Sequence, residues 1–429
     1  MINSSPPPAW LRWVAYGMIG IPVWWLSYFV DRTDISSVWL GYFLPFIPFL
    51  FLMRNASALS WKELTIAAIL IRTGLLWSTP NLSDDLYRFQ WDGRLQDLGI
   101  SAYAQAPEDI MAGNPDDPVL QQLFPHLNSP EYYSIYPPGA QGLFWLSMQD
   151  VPHSVFWLKC MMLILEALTL YLLPHLLTLM GKLPQQTGWY ALNPLVLIEL
   201  SGNIHLETGM IAGCLLSALL LWKQRYVPAG IAMGMALSIK FTPLMILPLL
   251  WRPLGFRNAW TYYLAAGITL AAMFLPVTNI QDLGHIGSSI GLYFHTFEFN
   301  GSWFYLYRLS DPDAYWLRDI FRILFPLLTF SLIIRWSWKS NTEKLPVYVV
   351  LSLAAFLFLS GNVHPWYLTP LLAAAVFTRL QFPFVWAVLI PLTYITYRTS
   401  AYTENYWLVT LEYLLVYTVL ITELKRSNG

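Results

Sequence analysis

Apolar stretches close to 20 residues long recur from one end of this chain to the other. They fall near residues 13–30, 38–53, 62–79, 154–180, 186–200, 205–222, 226–251, 259–278, 315–335, 345–360, 365–378, 383–397 and 405–422. A run of that length crosses the hydrocarbon core of a bilayer as a helix. Charge agrees: 11 % of the 429 residues are charged, against roughly 25 % in a soluble domain. The net charge of −1 offers no field for nucleic acid. Cys160 and Cys214 both fall inside apolar runs, which argues against a disulfide framework. The 21 Trp and 25 Tyr suit two interfacial belts. The opening "MINSSPPPAWLRW" lacks the small-residue site of a cleavable signal, so the first helix is expected to stay as an anchor.

Lysine and arginine in the short loops set the orientation. With the N-terminus cytoplasmic, most of the 24 basic residues gather on that side, among them Arg12, Lys62, Arg252 and Lys339. This holds only if 226–251 enters and returns on one face. Lys240-Phe241-Thr242-Pro243 supplies the break, because proline disfavours helix continuation and lysine is costly at mid-membrane. The expected fold is an all-α polytopic membrane protein with about 12 spans, a short re-entrant helical hairpin and a large external loop with interfacial helices. Residues 1–429 read as one membrane domain, with no soluble domain appended at the C-terminus.

Four polar stretches then share the outer face: the loop 79–153, "SGNIHLE" at 201–207, "HTFEFNGSWFYLYR" at 295–308 and "SGNVHPWYL" at 360–368. An outward-facing active site is the economical explanation. In "NLSDDLYRFQWDG", Asp84 and Asp85 are either solvated helix-capping charges, with Ser83 assisting, or a base and its neighbour. Arg88 has the spacing to pair with Asp84, Asp85 or Asp92. Arg72, inside an apolar run, needs either a buried partner such as Glu166 or Glu199, or an anionic lipid phosphate. Lys240, at the hairpin tip, either caps helix carbonyls or meets a phosphate. His205 and His364 stand in matching contexts, Ser-Gly-Asn-Ile-His and Ser-Gly-Asn-Val-His; Glu207 follows one, and Trp366 and Tyr367 follow the other. Aromatic planes beside an imidazole suit a sugar or a phosphate. A His-Glu-Asp metal site is conceivable there, yet no metal-ligand spacing appears. "SIYPPGAQ", with Tyr136, is a rigid turn back to the membrane.

Six stretches in order, "SDDLYRFQWDGRLQDLGISAYAQAPE", "SIYPPGAQGLFW", "NPLVLIELSGNIHLE", "SIKFTPLMILPLLW", "FNGSWFYLYR" and "GNVHPWYLTPLL", together resemble the bacterial integral-membrane GT-C glycosyltransferases. The resemblance is strongest to polyprenol-phosphate-mannose-dependent mannosyltransferases and runs from about residue 70 to 370. It implies a hexosyltransferase of the bacterial plasma membrane. A sugar on a polyprenyl phosphate passes with inversion to an acceptor hydroxyl of a glycan, glycolipid or lipid at the external face. It further implies that Asp84 is the base and Asp85 its neighbour, with the reverse open. Arg72, Lys240 and His364 become donor-phosphate candidates. Arg88, Tyr136, His205, Glu207, Asn300, Trp366 and Tyr367 become sugar or acceptor candidates. No cofactor is expected; a divalent metal is compatible with the motifs but not required by them. One departure is that the acidic loop follows the third apolar run, whereas many GT-C enzymes place it after the first. A flippase for lipid-linked sugar, or a lipid or polymer ligase, is the competing class; a transporter would spread polar residues to both faces.

Overall fold

A computed structural model describes residues 6–113, 115–279, 282, 284–289, 291, 298–307, 315–399 and 402–428. Residues 295–297 and Arg308 of the predicted outer-face stretch lie outside these. Among the described residues the chain is helical throughout, with a single isolated bridge between Phe299 and Asn362.

The expected apolar runs become helices wherever nothing interrupts them. Ala9–Phe29, Ile35–Arg54, Ser154–Leu179, Phe256–Phe274, Tyr315–Ser337 and Tyr406–Asn428 are long and continuous. Asp34 starts the second by accepting from Ser37 N at 3.3 Å. Large apolar side chains such as Phe29, Ile164, Ile268 and Trp407 stay exposed on these helices. Lipid is the medium that accommodates such a surface.

Other runs are broken. Pro194–Gly202 and Glu207–Trp222 meet at a bend of 112°. The run 365–378 opens as a 3₁₀ turn over Pro365–Leu368, and 383–397 divides into Phe382–Leu389 and Ile390–Arg398. By length and hydropathy, three helices suffice to cross a membrane among the described residues: Ile35–Arg54, Val151–Leu179 and Tyr406–Arg426; the bent pair makes a fourth if it is one span. The expectation of about 12 spans therefore finds narrower support than the hydropathy pattern suggested. Proline, glycine and asparagine cut several apolar runs into shorter helices, and Ala9–Phe29, Phe256–Phe274 and Tyr315–Ser337 are long enough but too rich in aromatic, polar or charged residues. The break expected at Lys240 is present: the helix Tyr226–Ile239 stops there, and Lys240 is extended with φ −155° and ψ 140°.

Ala9–Phe29, Ile35–Arg54 and a third helix, Trp61–Thr73, pack with Ser154–Leu179 and the 188–202 segment around one apolar core that includes Ile19, Phe49, Leu64, Leu173 and Val196. Arg12 braces this bundle at one end by pairing with Glu63 at 2.7 Å. Among the described residues between 79 and 153 the chain folds four α-helices, Asp85–Asp97, Pro107–Ala112, Pro118–Leu123 and Pro138–Met148. The first three share an apolar centre with Trp91, Leu95, Ile110 and Leu120 inside it, and Pro138–Met148 packs Ala140 and Phe144 with Leu86 and Phe89. Gly93 permits the closest approach, since a Cβ there would stand 2.5 Å from Phe144 O.

Candidate active site

The acidic stretch is fixed before its carboxylates are reached. Asn203 Oδ1 accepts the backbone N–H groups of Asn81 and Leu82 at 3.2 and 3.1 Å. The Asn81 amide donates to Leu26 O and Val30 O at 2.8 and 2.6 Å. The loop is thus clamped between the first helix and the broken helix at 203. Asp84 occupies the N-cap position of Asp85–Asp97, yet its side chain makes no cap bond; Ser83 Oγ accepts from Asp85 N at 3.3 Å. Asp84 Oδ2 instead accepts from Arg32 Nη1 at 2.7 Å. Arg32 also lies 5.3 Å from the centroid of the Tyr397 ring. Helix capping is therefore not what the Asp84 carboxylate does.

The neighbouring strip is held by a buried acid. Asp92 accepts from Arg88 Nε and Gln141 Nε2, at 2.8 and 2.9 Å, and from Ser134 Oγ. Arg88 also donates to Tyr132 O at 3.0 Å, and Tyr103 Oη to Tyr136 O at 2.6 Å. These bonds hold residues 129–137 beside the acidic pair.

Another wall comes from the break at 203–206. Ile204 sits at φ +60°, an uncommon conformation for a β-branched residue. The adjacent His205 is buried and stacks on Trp366 with centroids 3.8 Å apart and planes 12° from parallel. Trp366 also stacks with His364 at 4.3 Å, and His364 with Phe299 at 4.7 Å. Lys240 pairs with Glu207, and its Nζ stands 4.7 Å from the Tyr367 ring centroid.

These elements enclose a cavity of about 980 Å³. Of the residues expected in the site, Asp84, Asp85, Tyr136, His205, Glu207, Lys240, His364, Trp366 and Tyr367 line it. Part of the wall is apolar, from Ile239, Phe241, Leu244, Met245 and Phe356; another part is a polar strip from His126 to Tyr132. Burial pushes the Asp85 carboxyl above the usual range; Glu207 and Asp84 push the same way, against His205 and Lys240. Burial pushes the His364 imidazole well below its usual value, reinforced by His205 and Lys240. The cavity thus presents a carboxyl with raised proton affinity beside two cationic side chains, Arg32 and Lys240.

Three expected residues stand elsewhere. Arg72 is fully buried, paired with Glu166 at 2.8 Å and bonded to Ala191 O at 2.7 Å. It meets the internal partner that an arginine in an apolar run requires, so the structure gives it no access to a donor phosphate. Arg88 braces the lining strip from behind. Asn300 is buried against the last helix: its N donates to Glu404 Oε1 at 2.6 Å, its amide to Glu412 Oε1 at 3.1 Å, and its O accepts from Tyr413 Oη at 2.7 Å. Its neighbour Phe299 reaches the cavity instead.

Arg32 lies outside every motif of the sequence, yet it pairs with Asp84, 52 residues away. No local spacing announces that contact. Asn203 was visible inside "SGNIHLE", but its grip on the acidic loop was not. Among the described residues no group of three or more His, Cys, Asp or Glu side chains is placed to hold a metal ion.

Comparison with known proteins gives the family. Residues 9–253 match the family described as alpha-(1->6)-mannopyranosyltransferase, N-terminal domain. The chain is 28 % identical over 278 residues to alpha-(1->6)-mannopyranosyltransferase A of Mycobacterium tuberculosis. That similarity covers 61 % of this chain and 53 % of the relative, so the chain spans about half the length of the curated protein it matches. No solved structure matches the chain. The family match takes in more than half of the sequence, from upstream of Asp84 to beyond Lys240, and the chain therefore belongs to the alpha-(1->6)-mannopyranosyltransferase family.

Proposed function

We propose that the chain is an integral-membrane mannosyltransferase that moves a mannosyl group from a polyprenyl-phosphate donor to an acceptor hydroxyl of a glycan or glycolipid. In this reading the whole chain is one multi-pass unit of a bacterial plasma membrane, and the cavity opens at the non-cytoplasmic face. The observation that carries the reading is the convergence, in one cavity, of Asp85, the Arg32–Asp84 pair and the Lys240–Glu207 pair. Family membership supplies the sugar.

Asp85 is the proton acceptor in this reading. A base needs proton affinity and reach to the hydroxyl; Asp85 has the raised affinity, whereas Asp84 is tied to Arg32. The acceptor O–H gives its proton to Asp85, and the oxygen attacks the anomeric carbon. The bond from that carbon to the phosphate oxygen breaks, and its electron pair leaves with polyprenyl phosphate. Attack opposite the leaving group inverts the anomeric centre. Arg32 and Lys240 supply fixed positive charge where the phosphate charge develops, the arrangement that lowers such a barrier. The apolar side chains from Ile239 to Met245 take the first isoprene units, and Tyr136, Trp366 and Tyr367 offer ring faces to the sugars.

Purified chain in nanodiscs, given polyprenyl-phosphate mannose and a mannosyl acceptor, tests this. The product's anomeric configuration, read by NMR, should be opposite to that of the donor. Retention of configuration, or glucose or arabinose donors used as readily as mannose, would sink the proposal.

A further inference from the structure

Glu199 lies directly behind His205 with no exposure to solvent. Its Oε1 accepts from two phenols, Tyr42 Oη and Tyr394 Oη, the latter at 2.6 Å. Its Oε2 stands 3.4 Å from His205 Nε2. At that separation the two atoms face each other without a formed hydrogen bond, and neither has another hydrogen-bond partner among the described residues. A carboxylate this deep is costly unless its lone pairs are met by donors, and Arg72 is engaged by Glu166. The phenols therefore fix Glu199, and Glu199 faces the imidazole.

The imidazole is constrained from a second direction. His205 lies flat on Trp366 at 3.8 Å, which sets its ring plane. With Nε2 turned to Glu199, the other ring nitrogen, Nδ1, is left for the cavity that His205 lines together with Asp85 and Lys240. An electron-rich indole face and a carboxylate both suit a cationic ring.

We infer that Glu199 is a positioning residue for the transfer reaction: it takes the Nε2–H of His205 and thereby aims Nδ1–H at the phosphate of the lipid-linked donor. In the donor complex the imidazolium bridges two anions, Glu199 on one side and the phosphate on the other. The anchor draws on Tyr42 near the N-terminus and on Tyr394, which lies outside the segment matched by the family. This inference rests on the polyprenyl-phosphate donor reading above.

The test is a double-mutant cycle on the full chain in nanodiscs. Polyprenyl phosphate binding and single-turnover donor cleavage are measured for wild type, Glu199→Gln, His205→Ala and the double variant. Glu199→Gln should lower the cleavage rate and weaken phosphate binding by about tenfold to a hundredfold, the scale of one charged hydrogen bond. In the His205→Ala background the same change should cost nothing further. Tyr394→Phe, a milder change that keeps the ring, should give a smaller loss that also vanishes with His205→Ala. Losses that add across the cycle, for either variant, overturn the inference while leaving the donor reading intact. Wild-type protein that fails to bind polyprenyl phosphate defeats the donor reading and this inference with it.

Discussion

Arg32 donates to Asp84 at 2.7 Å across 52 residues of sequence, so the first carboxylate of the acidic pair already has its counter-ion. Both side chains are only partly exposed, 22 % and 32 %. The pair therefore fixes the acidic loop against the first helical hairpin and leaves Asp85 as the carboxyl free to exchange a proton. Arg32→Gln and Asp84→Asn should each reduce turnover, and the double variant should lose less than the product of the two. A coupling of about 1 kcal/mol is expected for such a pair in a double-mutant cycle; fully additive losses would mean that the two residues act independently.

Asp85 governs pH dependence. Its pKa is raised, chiefly by burial, and a base must be ionised to work. Turnover should therefore fall on acidification, beginning at a higher pH than an ordinary carboxylate would give. For folding the sign is opposite to that of a salt-bridged acid. A folded pKa above the unfolded value means that this group's contribution to stability is present at low pH and is lost as pH rises through the folded pKa. Asp85→Asn, neutral at every pH, should thus melt at or above the wild-type temperature at pH 7. A clear drop in its melting temperature would assign Asp85 a structural role.

Arg72 makes a prediction of the opposite kind. It and Glu166 are both fully buried, and removing one partner of such a pair costs about 3–5 kcal/mol, whereas replacing both with apolar residues is often neutral. Arg72→Met should strongly lower thermal stability in detergent, and Arg72→Met combined with Glu166→Met should recover much of it. Turnover per folded molecule should survive in the double variant. Loss of donor binding in a well-folded double variant would restore Arg72 as a phosphate ligand.

Asn203 holds Asn81 and Leu82 by their backbone N–H groups. Asn203→Ala leaves those donors without their acceptor, a cost of about 1–3 kcal/mol for buried groups. The acidic loop should loosen before the rest of the protein does. Hydrogen exchange at residues 81–86 should rise locally while protection in Ser154–Leu179 is kept; uniform loss of protection would contradict a local clamp.

Much of this was legible in the sequence, for identifiable reasons. Apolar runs announce helices because their length and composition act locally, and Lys240 with Pro243 announces a break for the same reason. Asp84, Asp85, His205, Glu207 and His364 were visible as polar residues misplaced in a greasy chain, and they do line one cavity. Partner choice was not legible. Arg72 was conspicuous because it sits inside an apolar run, yet that same burial gave it an internal partner; Arg32, at an ordinary loop position, is the cation that reaches the acidic pair. Asn300 reads like a sugar-binding residue until the C-terminal segment is folded against it, where Glu404, just before the last helix, and Glu412, within it, take its polar groups. Such contacts depend on how distant helices pack, which no local pattern encodes.

The most direct test of the account is acceptor-dependent release of polyprenyl phosphate from radiolabelled polyprenyl-phosphate mannose, comparing wild type with Asp85→Asn and Asp84→Asn in nanodiscs. Donor binding is measured on the same samples. Asp85→Asn should bind donor normally and release polyprenyl phosphate more slowly by about a hundredfold or more, with a smaller loss for Asp84→Asn. Near wild-type release by Asp85→Asn, with donor still bound, would contradict the account.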